Sequence, residues 1–176
     1  MTKIINTNFI KLSETEPEAV RKLMINEVGE KAKEKLYNNL KDLAESYPNF
    51  EEWFYNIVMP EMELKNGERE IIIAISEIEN KKIYLLTGIA ILKKTVDEKK
   101  ICTFRVHKDF RNQGIGTGLF EECFKYLNTK KPKITISENT IDMFKKHIEY
   151  YQFDRCETLD GYYKKGIKEY VYNGKL

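Results

Sequence analysis

The segment from Ile101 to Leu127, ICTFRVHKDFRNQGIGTGLFEECFKYL, carries the most specific structural pattern in the chain. Before its central turn, Cys102, Phe104 and Val106 alternate with their neighbours, and a period of two is typical of a β-strand. After the turn, apolar side chains recur at helical spacing and form one stripe. They are Ile115, Leu119, Phe120, Cys123, Phe124 and Leu127. The segment therefore predicts a strand, a short basic turn rich in glycine, and an amphipathic helix.

Three glycines, Gly114, Gly116 and Gly118, lie in the turn and the first residues of the predicted helix. Glycine inside a helix costs roughly 1 kcal/mol relative to alanine, so its repetition there needs a physical reason. Without a Cβ atom, the unpaired amides of a helix N-terminus can approach phosphate oxygens closely, and the helix dipole favours the anion. The alternative is that the glycines only allow the helix to pack tightly against a strand.

Other glycine-rich loops fit this segment less well. A P-loop requires a lysine after its last glycine, and no lysine follows Gly118. A dinucleotide-binding turn requires an acidic residue about 20 positions further on, where this chain has Lys130, Lys131, Pro132 and Lys133.

The pattern Arg111-x-x-Gly114-x-Gly116 resembles the Arg/Gln-x-x-Gly-x-Gly/Ala signature of the GNAT superfamily of acyl-CoA-dependent N-acetyltransferases. Phe104-x-Val106 precedes it where that family usually has Leu-x-Val. In the family, the loop amides bind the pyrophosphate of coenzyme A. Main-chain groups of the preceding strand run beside the pantetheine and hold the thioester carbonyl.

The resemblance implies an acetyl-CoA site in this chain. Arg111 and the amides from Gln113 to Gly118 are expected to hold the pyrophosphate, with strand amides near Phe104 and Val106 at the thioester. Asn139 matches a position where the family often has a cofactor-contacting asparagine, and a helix cap is the alternative. The expected cofactor-binding residues are Phe104, Arg105, Val106, Arg111, Asn112, Gln113, Gly114, Ile115, Gly116, Thr117, Gly118 and Asn139.

The catalytic acid is where the chain departs from the family pattern. Many members carry Tyr-x-x-x-Gly-Phe, with the tyrosine near the cofactor sulfur. If Phe153 takes the place of the family phenylalanine, Ile148 stands at the tyrosine position. Tyr150, Tyr151 and His147 are the candidate acids, and each is also explained by packing of the helix end.

A general base and a nucleophile are less clearly marked. Glu70, Glu77 and Glu79 are candidate bases by family analogy alone. Cys102 shares the predicted alternation with Phe104 and is interpreted as a core residue rather than as an acylated nucleophile.

Length and composition predict one globular domain, residues 1–176, able to bury roughly 70% of its unfolded surface. Thirty basic and 28 acidic residues leave a net charge of +2, too balanced to indicate nucleic-acid or membrane binding. No apolar run approaches the ~20 residues of a membrane span, and the start of the chain lacks the features of a signal peptide. The spacing of the three cysteines indicates neither disulfides nor a zinc site. A reducing, cytoplasmic location is therefore expected.

The apolar runs, and the turn and capping residues between them, predict the order of helices and strands. A first strand over residues 3–12 precedes three predicted helices, over 15–28, 32–47 and 50–58. Pro48 ends the second, and the third lies before Pro60. A hairpin of Glu70–Ile78 and Ile83–Leu92 leads into the glycine segment. A strand at 134–136, a helix to about Tyr150 and two strands complete the chain. This order predicts an α/β (α+β) fold of the GNAT type, a mixed, mostly antiparallel sheet of six to seven strands flanked by helices.

The resemblance implies an enzyme that moves acetyl from acetyl-CoA directly to a primary amine. A polyamine, an antibiotic, an amino acid and a protein N-terminus all remain open as acceptor. One alternative is an acyl-CoA-binding or sensing module without turnover, suggested by the missing tyrosine. Another is a toxin-like acetyltransferase of aminoacyl-tRNA, which the near-neutral charge disfavours. Dimers are common among relatives, so a homodimer is also open.

Overall fold

The computed structural model describes residues 2–15, 34, 37–45, 47–81 and 83–176. These residues form one seven-stranded sheet in the order β1-β2-β3-β4-β5-β7-β6, mostly antiparallel, with β4 and β5 parallel. The strands are β1 Ile4–Lys11, β2 Arg69–Ile78, β3 Tyr84–Lys94, β4 Lys99–Val106, β5 Lys133–Ser137, β6 Arg155–Asp160 and β7 Lys168–Tyr172. The predicted fold class and hairpin are confirmed.

Helices cover both faces of the sheet. The helical segment α1 comprises Phe50–Trp53, the π-helical turn Phe54–Val58 and Met59–Glu63. Helix α2 spans Ile115–Leu127 and helix α3 spans Ile141–Tyr151. Residues 37–40 are helical and continue into the 3-10 turn Lys41–Glu45. The helix predicted over 15–28 and the start of the one over 32–47 lie outside the described residues. Among the described helices, none is long and apolar enough to cross a membrane.

Strand β2 is buried on both faces because its alternating isoleucines feed two different cores. Ile72 packs in a cluster with Leu119 of α2, and this side of the sheet is called the α2 face. Ile71 and Ile73 pack with Phe54 of α1, on what is called the α1 face. A strand covered on both faces reads as one continuous apolar run.

Pro60 lies within α1, which extends beyond the predicted 50–58. The helical segment continues to Glu63, with Pro60 in the first turn of Met59–Glu63. A first-turn position tolerates proline because its missing N–H has no helical partner to lose. The preceding turn, Phe54–Val58, has π-helical geometry. Asn49, which precedes α1, lies in the left-handed region with φ 62° and makes no side-chain cap bond.

A β-bulge at Cys102 makes the predicted alternation of β4 wrong at that residue. Ile91 pairs with Thr103 and Leu92 pairs with Ile101, so Cys102 is an extra residue in β4. Because a bulge reverses the side-chain phase, Ile101 and Phe104 both pack on the α2 face, whereas Cys102 packs against the α1-face cluster.

Strands β4 and β5 touch only at their beginnings. Their pairing consists of Lys100 with Lys133 and Ile101 with Ile134. The bulge follows immediately, and no strand in the described part of the chain pairs with the β5-facing edge of residues 102–106. This part of β4 therefore presents backbone donors and acceptors to an opening in the middle of the sheet.

Gly118 is required by packing inside the protein. A Cβ atom at Gly118 would lie 2.4 Å from Cζ of Phe9, a β1 residue that packs against the α2-face cluster. The tight-packing interpretation of the glycine repeat therefore explains this one glycine.

We expect Gly118→Ala to destabilise the protein. An overpacking cost of about 1–3 kcal/mol against Phe9 exceeds the roughly 1 kcal/mol that alanine gains in helix propensity. Urea unfolding would measure the loss, with Gly174→Ala as control, because a Cβ there would make only ordinary contact with Lys133. In the double variant with Phe9→Ala, the effects should be less than additive. Strict additivity, or an unchanged stability of Gly118→Ala, would contradict the clash.

Candidate active site

The turn between β4 and α2 is shaped by two residues with left-handed backbone geometry. Asn112 has φ 61° and Gly114 has φ 84°, and nothing lies within 4 Å of a Cβ built on Gly114. Gly114 is therefore favoured for its conformation rather than for lack of space. The amide of Gly118 donates to the carbonyl of Gly114 at 3.0 Å. The preceding helical amides, of Ile115, Gly116 and Thr117, have no intrahelical acceptor and could hold an anion.

Gln113 clamps this turn to the first strand. Its Oε1 accepts a hydrogen bond from the Ile4 amide at 3.1 Å, and its Nε2 donates to the Thr2 carbonyl at 3.0 Å. These two bonds fix the turn before any ligand arrives. Sequence reasoning assigned Gln113 only a main-chain role, and nothing in the local pattern indicated this contact with residues 109 and 111 positions away.

Arg111 lies between the turn and the open strand edge. Its Nε donates to the carbonyl of Val106, the last residue of β4, at 3.3 Å. Beneath it, Phe110 and Ile115 are buried in a small cluster with Ala74. The guanidinium is thus held across the end of β4, where it could meet an anion bound at the turn.

Arg105 points its side chain to the opposite face of the sheet. The guanidinium donates to the carbonyl of Asn39 and to Asp42, the latter at 2.7 Å. The hydrogen bond and charge of Arg105 lower the pKa of Asp42. The side chain is therefore committed to the helical residues 37–45, and only the main chain of Arg105 faces the opening.

His147 of α3 lies against the start of α2. Its Nε2 is 3.3 Å from Oγ1 of Thr117, and a Cβ on Gly116 would lie 3.3 Å from its Cε1. Burial lowers the pKa of His147, so the ring is neutral near pH 7. Of the three candidate acids, this is the one in contact with the glycine turn.

The two tyrosine candidates are placed differently. Tyr151 donates its hydroxyl to Glu121 at 2.9 Å, and burial followed by this bond raises the pKa of the phenol. The side chain of Tyr150 is 76% exposed.

Ile148, at the family's tyrosine position, packs against the α2-face cluster. Asn139 is exposed before α3, whose N-cap residue is Thr140.

Glu70, Glu77 and Glu79, the candidate general bases, lie away from the opening between β4 and β5. Glu70 accepts hydrogen bonds from the amide and hydroxyl of Ser13 and from its neighbouring amide. It lies at the level of Leu92, where β4 still pairs with β5. Glu77 pairs with Tyr84, beyond the end of β4, and Glu79 forms a surface ion pair with Lys3 at 3.3 Å.

Sequence reasoning missed Glu169, a buried carboxylate on β7. Its side chain is 1% exposed, and it pairs in register with Ser137, the last residue of β5. Ser137 donates a hydrogen bond to the carboxylate, but Oε2 has no partner within the described part of the chain. Burial raises the pKa of Glu169 to about 7. The only sequence signal is a glutamate at an inward position of the short alternating run KEYVY.

This raised pKa predicts a specific pH dependence of stability. Between the ordinary pKa of about 4.5 and the folded value of about 7, the folded protein binds more protons at Glu169 than the unfolded chain. Glu169 should therefore reduce the free energy of unfolding progressively as pH rises through this window. In Glu169→Gln this loss should be absent, so the variant should gain on the wild type from pH 4.5 to 7.5. A constant difference in the free energy of unfolding between the wild type and Glu169→Gln, measured by urea unfolding across this pH range, would contradict the assignment.

Comparisons with known proteins agree with this architecture. Residues 34–151 match the family model described as Acetyltransferase (GNAT) family. A search of curated protein sequences found no match. Among solved structures, a putative GNAT-family acetyltransferase from Desulfovibrio desulfuricans aligns with TM-score 0.64 and 12% identity, over 95% of this chain and 97% of the other.

Two further structures share the fold. NAA60 from Arabidopsis thaliana, in complex with acetyl-CoA, aligns with TM-score 0.62 and 14% identity, over 95% of this chain and 97% of the other. A nourseothricin acetyltransferase aligns with TM-score 0.51 and 10% identity over 60% of this chain, which spans 64% of that protein. Together with the family match over residues 34–151, the sheet opening and the glycine turn show that the chain belongs to the GNAT acetyltransferase family.

Proposed function

We propose that this protein transfers the acetyl group of acetyl-CoA to a primary amine. The observation that carries the proposal is the opening between β4 and β5, which leads directly to the glycine turn at the start of α2. An extended ligand with an anionic end matches this combination of an unpaired strand edge and unpaired helix amides. The solved relative in complex with acetyl-CoA supports this ligand.

At the anionic end, the amides of Ile115, Gly116 and Thr117 would bind the pyrophosphate. Their unpaired N–H groups and the dipole of α2 both favour negative charge at this point. Arg111 would add its guanidinium from the end of β4, where its bond to Val106 already holds it. Asn112 and Gln113 would act by shaping and fixing the turn.

At the reacting end, acetyl-CoA supplies an activated thioester. The amides of β4 that face the opening, within residues Phe104–Val106, would donate to the thioester oxygen as it gains negative charge. Donors fixed in a strand need no rearrangement during the reaction, which is the condition for effective electrostatic stabilisation. The bulge at Cys102 supports this role because it separates these amides from β5.

We propose that His147 stabilises the leaving thiolate by a hydrogen bond from its neutral imidazole, because burial lowers its pKa and leaves the ring neutral near pH 7. Tyr151 is engaged by Glu121, and Tyr150 is largely exposed, so neither is as well prepared to donate toward the opening. Because the parent thiol has a pKa of ~8.5, its thiolate is a good leaving group, and a hydrogen bond without proton transfer is sufficient.

A sensing module without turnover is the second candidate. The observation in its favour is Ile148, which packs in the core at the family's tyrosine position. Turnover distinguishes the two functions, because a sensor would bind acetyl-CoA and release no thiol.

We expect Gly116→Val to abolish acetyl-CoA binding. A side chain at Gly116 would cover the turn amides and press on His147, whose Cε1 would lie 3.3 Å from the new Cβ. Calorimetric titration of acetyl-CoA would measure the loss, with thermal unfolding as a check on folding. Gly174→Val is the matched control, since Gly174 lies outside the turn beside Lys133. If Gly116→Val binds acetyl-CoA like the wild type, the turn is not the pyrophosphate site.

Turnover is tested by release of free thiol from acetyl-CoA. The acceptor panel comprises spermidine, nourseothricin, lysine and a peptide with a free N-terminus, one from each class left open by the sequence. At least one amine should raise thiol release well above the rate without enzyme, and mass spectrometry should find that amine acetylated. Binding of acetyl-CoA with no turnover of any amine would favour the sensor instead.

A further inference from the structure

Glu169 lies at the level of the open part of β4. The last paired rung of β4 and β5 is Ile101 with Ile134. Because Cys102 is an extra residue in β4, three steps further along the sheet bring Arg105 of β4 to the level of Ser137 of β5. Glu169 is the partner of Ser137 on the other side of β5. The carboxylate is therefore one strand away from the opening, at the height of the amides proposed for the thioester.

The side chain of Glu169 lies on the α1 face, opposite the glycine turn. Ile136 and Tyr170, which precede and follow this pair in register, pack in the α2-face cluster. Since side chains alternate, Ser137 and Glu169 point to the other face. Thr135, two residues before Ser137, has a buried Oγ1 that also has no partner among the described residues. The two buried polar atoms without a hydrogen-bond partner in the described part of the chain thus lie on the same face of the sheet.

Two tyrosines lie near the carboxylate of Glu169. Tyr47 and Tyr163 contact each other edge to face, with ring centroids 4.9 Å apart. Burial, and then the charge of Glu169, raises the pKa of Tyr47. Burial also raises the pKa of Tyr163 to about 12, with smaller contributions from Tyr162 and Glu169. A carboxylate with aromatic rings nearby suits an alkylammonium group, which both kinds of group attract.

We propose that Glu169 is the general base for the acceptor, an aliphatic primary amine whose ammonium group binds its free carboxylate oxygen. This assignment rests on the proposed acetyl transfer. The ammonium gives one proton to Glu169, and the neutral nitrogen attacks the thioester carbon. The C–N bond forms, the C–S bond breaks, and the second nitrogen proton leaves with the thiolate as the free thiol. Glu169 then returns its proton to solvent.

Access to Glu169 requires the β6–β7 loop to move away from the helical residues. This loop, residues 161–167, carries Tyr163 and also Lys164, whose Nζ donates to the carbonyl of Glu45 at 3.3 Å. Gly161 and Gly166 have φ values of 66° and 77° near its two ends. The contacts that join this loop to residues 45 and 47 are one surface hydrogen bond and one ring pair, both of which can be exchanged for contacts with an entering amine.

The electrostatic surroundings match the task of a base at neutral pH. Burial and the nearby charge of Glu138 favour the protonated form of Glu169, while the hydrogen bond from Ser137 favours the carboxylate. Among the residues that the structure describes, the phenols of Tyr47 and Tyr163 also feel the charge of Glu169, and both stay neutral near pH 7. A base with a pKa near 7 combines a useful ionised fraction with greater basicity than an ordinary glutamate.

The test is the pH profile of kcat/KM for Glu169→Gln, using the panel amine with the fastest wild-type turnover. In the wild type, the profile should rise with an apparent pKa of about 7. In Glu169→Gln, this limb should vanish and kcat/KM at pH 7.5 should fall roughly 10²-fold or more. Acetyl-CoA binding by calorimetry should be unchanged. Glu157→Gln is the matched control on the neighbouring strand and should behave like the wild type.

Ser137→Ala provides an independent variant if Glu169→Gln does not fold. Removal of the Ser137 hydroxyl should raise the pKa of Glu169 and move the limb of the profile to higher pH. An unmoved limb in Ser137→Ala, or a wild-type profile in Glu169→Gln, overturns the assignment while leaving acetyl transfer intact. If no panel amine is acetylated, the proposed function and this assignment both fail.

Discussion

The parting of β4 from β5 is the constraint on which the rest of the site depends. It starts at one extra residue, Cys102, whose bulge breaks the register with β3 directly after the last rung shared with β5. A bulge bends its strand and increases the local twist, so the two parallel strands diverge. Without this divergence, the amides of Phe104–Val106 would be used up in sheet hydrogen bonds. The later residues of β4 therefore stay unpaired with β5, and their main-chain groups remain available to a ligand.

The turn that follows is held ready by contacts with distant parts of the chain. Gln113 fixes it to β1 and Arg111 ties it to the end of β4. The three glycines serve different purposes. Gly114 supplies a left-handed backbone, Gly116 keeps space beside His147, and Gly118 makes room for Phe9. A ligand that meets a turn already fixed in this way loses less free energy to ordering the protein.

Sequence patterns predicted the element order, the sheet and the glycine turn because periodicity and turn residues are local signals. They failed where distant contacts decide. The bulge at Cys102 is set by pairing with β3, so simple alternation placed this residue on the wrong face. The reason for Gly118 is a ring from β1. Glu169 could not be singled out, because its burial arises only when β5, β6 and β7 assemble around it.

Amide hydrogen exchange measured by NMR, with and without acetyl-CoA, tests most directly whether the open strand edge and the glycine turn form one ligand site. In the free protein, the β5-facing amides within Phe104–Val106 and the amides of Ile115–Thr117 should exchange rapidly, because they have no sheet or helix partner among the described residues. Saturating acetyl-CoA should slow both groups together and leave the Glu157 amide on β6 unchanged. Protection elsewhere, or at the turn without the strand, would contradict a site in which the bulge exposes β4 for the thioester.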